Sequence, residues 1–224
     1  MTISVIGLNH KSANIDIREK FSFTADNASL LLRRIKKIRD ILEVIVVSTC
    51  NRTEIYCEST NGVDDIKNWL LSEKEYKSFA KHLYIHQEED AIEHLFKVVA
   101  GLDSMVIGES EVLGQVKSAY KIALDNKSID GKLKRLFEYS FSVAKNVRTN
   151  TDIGGNAISF MYTSILLIKK IFSAVEQKKC LLIGAGEMTE LALKYLKSNN
   201  VNDITICNRK EEKGKKLALE NDCR

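Results

Sequence analysis

Proline is absent from all 224 residues, so the turns must be made by Gly, Asn, Asp and Ser. No apolar run approaches the roughly 18–20 residues of a bilayer-spanning helix. The opening MTISVIGLNHKSA lacks a basic patch followed by an apolar stretch and a small-residue cleavage site, so no signal peptide is expected. The five cysteines, Cys50, Cys57, Cys180, Cys207 and Cys223, are odd in number, widely spread and without a C-x-x-C pair. That spacing argues against a disulfide framework and against a structural zinc site. Reduced thiols and a cytoplasmic location are the expectation. The charge excess is small, a net +4, which permits a nucleic-acid partner without demanding one.

What is present fits an ordinary soluble protein, with 44% apolar and 29% charged residues. The length allows one large domain or two modest ones. Residues 2–7 alternate and predict a strand. Residues 25–39 have helical spacing at Leu30, Leu31, Leu32, Ile35 and Ile38, with Thr24 or Asp26 as cap. The β-branched run 43–48 predicts a buried strand and 54–58 a second, joined by the turn Thr49-Cys50-Asn51-Arg52. A helix at 63–71 and a strand at 82–86 complete a β-α-β-β-α-β order, the split βαβ or ferredoxin-like pattern. Helices are expected over 88–100, 111–125, 132–149 and 157–172. The composition shifts at Gln177-Lys178-Lys179. Beyond it, strand 180–183, a glycine turn, helix 187–197 and strand 203–207 make one βαβ unit.

Cys50 is the candidate nucleophile. It sits in a tight turn after a buried strand, and a guanidinium two residues on, at Arg52, would lower its pKa toward the reactive thiolate. The plain alternative is a small apolar filler. Arg52 could grip a carboxylate with its planar fork, or be a solvated turn residue, the commoner case. Cys57, Cys180 and Cys207 fall within strand patterns and read as core. Of His10, His82, His86 and His94, only His94 lies in a clear helix, where a packed residue is the usual outcome. His82 and His86 are four apart, but on a strand-like segment, so no metal pair is expected. Gly184-Ala185-Gly186-Glu187-Met188-Thr189 follows an apolar strand and opens a helix, the context a dinucleotide pyrophosphate needs. The ribose-binding position holds Asn208-Arg209-Lys210 rather than an acid, which favours a 2′-phosphate and hence NADP(H). Three glycines, three acids and a Gln between 100 and 117 suggest a functional loop, or simply a capped helix start with Ser110 or Glu109 as cap.

A reactive thiol beside a hydride donor suits reduction of an acyl group through a thioester. The combination resembles the glutamyl-tRNA reductase family. The resemblance rests on Gly7-Leu-Asn-His-Lys-Ser-Ala13 with Arg18-Glu19, and on Ser48-Thr-Cys-Asn-Arg-Thr-Glu-Ile-Tyr56. It continues in Gly101-Leu-Asp-Ser104, Gly108-Glu109, Gly114-Gln115-Val-Lys117 and Ile183-Gly-Ala-Gly-Glu-Met188. It covers the whole chain and implies an α/β protein. Residues 1–150 would be an α+β catalytic domain, ferredoxin-like with added helices; 151–176 a connecting helix; and 177–224 an incomplete, truncated Rossmann domain for NADPH.

By the same resemblance Cys50 attacks the ester of glutamyl-tRNA, and hydride from NADPH converts the thioester to glutamate semialdehyde, the first step of tetrapyrrole synthesis. Thr49, Cys50, Asn51, Arg52, Ser104, Glu109, Ser110, Glu111 and Gln115 would line the glutamate pocket, Arg52 on its side-chain carboxylate and Glu109 on its ammonium. His94 would assist catalysis. Gly184, Ala185, Gly186, Glu187, Met188 and Thr189, with Asn208 and Arg209, would hold NADPH. A glutamate-semialdehyde aminotransferase partner and a full-length homodimer are implied too. The family usually has proline where Asn14 and Ser110 stand. Its helical dimerisation region and most of its cofactor domain are not represented. Without a complete cofactor domain water should replace hydride, so this chain is expected to act as a slow glutamyl-tRNA esterase. The rival readings are a thiol-dependent semialdehyde dehydrogenase without RNA and a non-catalytic tRNA- or partner-binding fragment.

Overall fold

Strands form where β-branched residues run together. In the computed structural model, which describes every residue except 50, 62, 73–75, 110, 152 and 154–159, four of them make one antiparallel sheet. They are β1 (Thr2–Asn9), β2 (Ile41–Ser48), β3 (Arg52–Ser59) and β4 (Tyr84–Gln87), in the order β2-β3-β1-β4. This is the split βαβ order that the element sequence implied. The chain divides into two compact units, Met1–Ala157 and Ile158–Arg224.

The helices of the first unit are α1 (Ile15–Lys20), α2 (Ala25–Ile35), α3 (Asp64–Ser72), α4 (Glu89–Val99), α5 (Glu111–Asp125) and α6 (Lys132–Asn150). Thr24 caps α2 by accepting from Asn27 N, and the 3.6-residue period buries Leu31, Leu32 and Ile35 while leaving Leu30 58% exposed. The helix stops at Ile35 rather than Arg39, because Lys37 N and Ile38 N turn back on the carbonyls three residues before them. Helix α1 escaped the sequence reading. It is one and a half turns long, buries no residue fully, and is held by the Asn14 side chain accepting from Ile17 N. The fourth strand begins at Tyr84, since residues 77–82 close into a 3-10 turn that takes in His82.

β3 is buried along its entire length, so both faces of the sheet are covered. Period two sends Arg52, Glu54 and Tyr56 to one face and Thr53, Ile55 and Cys57 to the other. On the first face Tyr56 meets Phe137 of α6 edge-on at 5.3 Å. The helix α6 is itself tied down by β2. The buried Glu43 carboxylate accepts from the amides of Asp130 and Gly131, both at 2.6 Å, and of Leu133 at 2.7 Å. Burial alone would raise its pKa, yet these three amides at a helix N-terminus hold it below the ordinary value. An aromatic cluster of Phe21, Phe23, Tyr76 and Phe79 completes this unit's core.

The second unit holds α7 (Phe160–Ile171), β5 (Cys180–Ile183), α8 (Glu187–Ser198), β6 (Ile204–Cys207) and α9 (Glu211–Glu220), with β5 and β6 parallel. One face of this two-stranded sheet contributes Cys180, Leu182 and Ile204 to a core with Leu193, Leu196 and Val201, whereas Leu181 and Ile183 stay 60% and 81% exposed. Cys207 is exposed rather than core and Cys180 only half-buried, because two strands give few neighbours to hide behind.

Candidate active site

The turn between β2 and β3 is organised by one hydroxyl. Thr49 Oγ1 accepts from Asn51 N at 3.2 Å and from Arg52 N at 3.1 Å, and Thr49 N donates to Arg52 O at 2.8 Å. A short polar side chain that satisfies two turn amides fixes the loop without proline. Cys50, between these residues, lies outside the described residues, as does Ser110.

Directly after the turn comes a buried ionic cluster. Arg52 is only 1% exposed, not a solvated turn residue. Its Nη1 donates to Glu54 Oε1 at 2.8 Å and to Asp103 Oδ2 at 3.0 Å, and Nη2 donates to the Asp103 carbonyl. Glu54 is fully buried and accepts four hydrogen bonds. Besides Arg52, His94 Nε2 reaches Oε1 at 2.8 Å, Tyr84 OH reaches Oε1 at 2.5 Å, and Tyr56 OH reaches Oε2 at 2.7 Å. Burial opposes ionisation of Glu54, but the His94 hydrogen bond and the Arg52 charge outweigh it and bring its pKa down to about 2. Burial likewise works against the Arg52 charge, and the Glu54 carboxylate more than restores it. Burial first, then the same carboxylate, push both tyrosines far above the ordinary phenol range.

The sheet register makes room for this cluster. Gly7 of β1 pairs with Glu54 on one side and Tyr84 on the other. A Cβ on Gly7 would sit 2.8 Å from Glu54 Cγ and 2.5 Å from the Thr53 carbonyl oxygen. The missing side chain therefore lets Tyr84 reach across β1 to Glu54. Because ionised Glu54 can only accept, His94 Nε2 carries its proton, and Nδ1 is left as the nitrogen able to exchange one. The His94 ring also stacks on His86 at 4.8 Å, and His86 is depressed in pKa by burial and then by His94.

The loop after α4 closes the cluster. Gly101 and Gly108, with φ of +78° and +86°, adopt the left-handed backbone that turns it. Asp103 faces Arg52 and Lys11, while Ser104 and Glu109 are buried. Burial and then Glu111 raise the Glu109 pKa, with the Ser104 hydroxyl and Arg52 pulling the other way. Arg52 Nε, Glu111 Oε1 and His10 Nδ1 are buried and lack a hydrogen-bond partner among the described residues. Buried polar atoms left unmade call for a ligand or water. Gln115 is half-buried on α5. The expected substrate residues 49, 51, 52, 104, 109 and 111 thus gather around one turn and one loop. Glu54, Tyr56, Tyr84 and Asp103 join this cluster without having been expected there from the sequence. A charged residue at every second position of a strand, Arg52 then Glu54, was the available signal.

In the second unit, Gly184 has φ of +114° and opens the turn before α8. The first amides of α8 have no side-chain cap at Gly186, where an added Cβ would meet nothing within 4 Å. A cleft of about 300 Å³ there is lined by Ala185, Gly186, Asn208, Arg209, Lys210 and Lys213. Open amides, a side-chain-free approach and three cations suit a dinucleotide's phosphates. No described helix is long and apolar enough to cross a membrane, and no cluster of metal-ligating side chains occurs among the described residues.

Two family models match the chain. Residues 6–151 match the family model described as glutamyl-tRNAGlu reductase, N-terminal domain, and residues 166–223 match that for shikimate / quinate 5-dehydrogenase. The chain is 40% identical over 220 residues to glutamyl-tRNA reductase of Idiomarina loihiensis, covering 97% of this chain and 52% of that one. It is 43% identical over 218 residues to that of Xylella fastidiosa, covering 97% and 50%. The solved glutamyl-tRNA reductase from Methanopyrus kandleri superposes with a TM-score of 0.66 at 26% identity, over 99% of this chain and 53% of that one. The chain spans about half the length of the relatives it matches.

Proposed function

The chain belongs to the glutamyl-tRNA reductase family, and from that premise we propose that its first unit takes glutamyl-tRNA as substrate, with Cys50 as nucleophile. The thiolate attacks the ester carbonyl, the C–O bond to the tRNA ribose breaks, the ribose oxygen takes up a proton, and glutamate stays on Cys50 as a thioester. The observation that supports this best is the buried Arg52–Glu54–His94 cluster directly behind the Thr49–Arg52 turn. It pre-sets a guanidinium, and a histidine of fixed tautomer, on the strand that follows Cys50 by two residues and on the helix bonded to it.

Arg52 Nε takes the side-chain carboxylate of the glutamyl group, and Thr49, Asn51, Ser104, Glu109, Glu111 and Gln115 receive the rest of it; Ser110, outside the described residues, belongs to the same set by the family resemblance alone. Glu109 meets the ammonium. His94 Nδ1 holds or returns the proton that the ribose oxygen requires. In the second unit, Gly184 to Thr189 and the α8 amides would hold the pyrophosphate of NADPH, and Asn208 and Arg209 its 2′-phosphate. Bound there, NADPH would supply the hydride that reduces the thioester to glutamate semialdehyde, with the C–S bond breaking and the Cys50 thiolate released. The full-length homodimer and an aminotransferase that consumes the reactive aldehyde belong to the same reading. Without hydride, water releases glutamate from Cys50 and the chain works as a slow esterase.

Intact-protein mass spectrometry after mixing with glutamyl-tRNA tests this. A glutamyl adduct on the wild type and none on Cys50→Ser is expected. An adduct on both, or a tRNA that stays charged with the wild type, overturns the assignment.

A further inference from the structure

An open groove of the first unit lies outside the cluster described above. It runs between the first half of α5 and the last turns of α6 and has a volume of about 510 Å³. Its lining is Leu113 and Lys117 from α5, with Phe141, Ser142, Lys145, Arg148 and Thr149 from α6. The spacing explains the groove. Residues 113 and 117 are one turn apart on α5, and 141, 145 and 148 share one face of α6.

Three cations and no acid line it. Lys117 and Lys145 are solvent-exposed, and none of the three cations meets a carboxylate among the described residues. Lys117 Nζ lies 5.6 Å from the centre of the Phe141 ring, a cation–π contact that holds it over the groove. Arg148 Nη1 donates to the Gly108 carbonyl at 3.1 Å. The groove wall is therefore bonded to the loop that carries Ser104 and Glu109. Like charges crowded in one channel repel each other unless an anion lies between them, and an apolar floor of Leu113 and Phe141 suits a flat base more than a second protein's acidic side chains.

We infer that this groove binds the single-stranded 3′ end of the aminoacylated tRNA, with Lys117, Lys145 and Arg148 on successive backbone phosphates. The inference rests on the proposed substrate. An ester at the Thr49–Arg52 turn must be followed by its own phosphodiester strand, and the cationic groove adjoins the loop that borders that turn.

The test uses the complete chain and a fluorescent single-stranded RNA ending in CCA, read by anisotropy, so that it does not depend on Cys50 chemistry. Each single-strand phosphate contact contributes about 0.7 to the slope of log K against log salt. Lys117→Gln with Lys145→Gln should lower that slope by about 1.4. Between about 50 and about 200 mM salt the wild type should then lose affinity about sevenfold more than the double variant. Cys50→Ser should bind the RNA as the wild type does. Equal slopes for wild type and double variant, or no wild-type binding of the RNA, overturn the groove assignment. If the RNA binds with the expected slopes but charged tRNA leaves no adduct on Cys50, the groove stands and the nucleophile assignment falls.

Discussion

Replacing Glu54 by Gln removes one negative charge from a fully buried site while keeping its shape. The amide oxygen can still accept at the Oε1 position, and its NH₂ can face Tyr56 OH, which can accept instead of donate. What is lost is the charge between Arg52 and His94. The fall of the Glu54 pKa from an ordinary 4.5 to about 2 is worth about 3 kcal/mol, at about 1.4 kcal/mol per pH unit. The sign follows from a folded pKa below the unfolded one. The stabilisation is complete above about 4.5, and it fades as pH falls toward about 2. Urea unfolding followed through Trp69, the single tryptophan and part of α3 in the first unit, reads this directly. Glu54→Gln should be destabilised by about 3 kcal/mol at neutral pH and by only about 1.4 kcal/mol near pH 3, where Glu54 of the unfolded chain is protonated while the folded one still holds its charge. The same variant should form the Cys50 adduct more slowly, because Arg52 and His94 both lose their anchor. A penalty under about 1 kcal/mol at neutral pH, or one that stays constant down to pH 3, would refute the reasoning.

Gly7→Ala forces a methyl group to within 2.8 Å of Glu54 Cγ and 2.5 Å of the Thr53 carbonyl oxygen. It should cost about 1–3 kcal/mol in urea unfolding, and an unchanged midpoint would mean that the close approach is not real. Glu43→Ala removes the acceptor of three amides at the start of α6 and should cost about 2–3 kcal/mol. Because Glu43 is held below its ordinary pKa of 4.5, that difference should be full above about 4.5 and shrink below it, in the same urea titration. In the second unit, Arg209→Ala should weaken NADPH binding about tenfold or more and leave NADH unaffected. Nucleotide fluorescence checks this, and an equal loss for both would place Arg209 away from the 2′-phosphate.

Local pattern was enough for the order of elements, the cap at Thr24, the turn at residues 49–52 and the strand–glycine–helix unit at 180–198. Each of these rests on contacts between neighbours in sequence: side-chain period, a hydroxyl two or three residues from the amide it satisfies, a glycine where φ is positive. The short helix α1 stayed hidden because it has no apolar period, only a cap. The Arg52 environment was legible by half. Strand alternation puts Arg52, Glu54 and Tyr56 on one face, but it says nothing of what covers that face.

Tertiary structure alone decided the rest. His94 bonds Glu54 across 40 residues, Asp103 meets Arg52 across 51, and Glu43 caps a helix 88 to 90 residues away. Such pairs are set by sheet register and by which helix packs over which strand, and neither leaves a mark at short sequence spacing. The register is also what turns Gly7 from an unremarkable strand glycine into the gap through which Tyr84 reaches Glu54. The sequence by itself determined the parts and their chemistry, because those are local properties. The ionisation of Glu54, the fixed tautomer of His94 and the burial of Arg52 came only from folding, which removes water from charges that the chain keeps far apart.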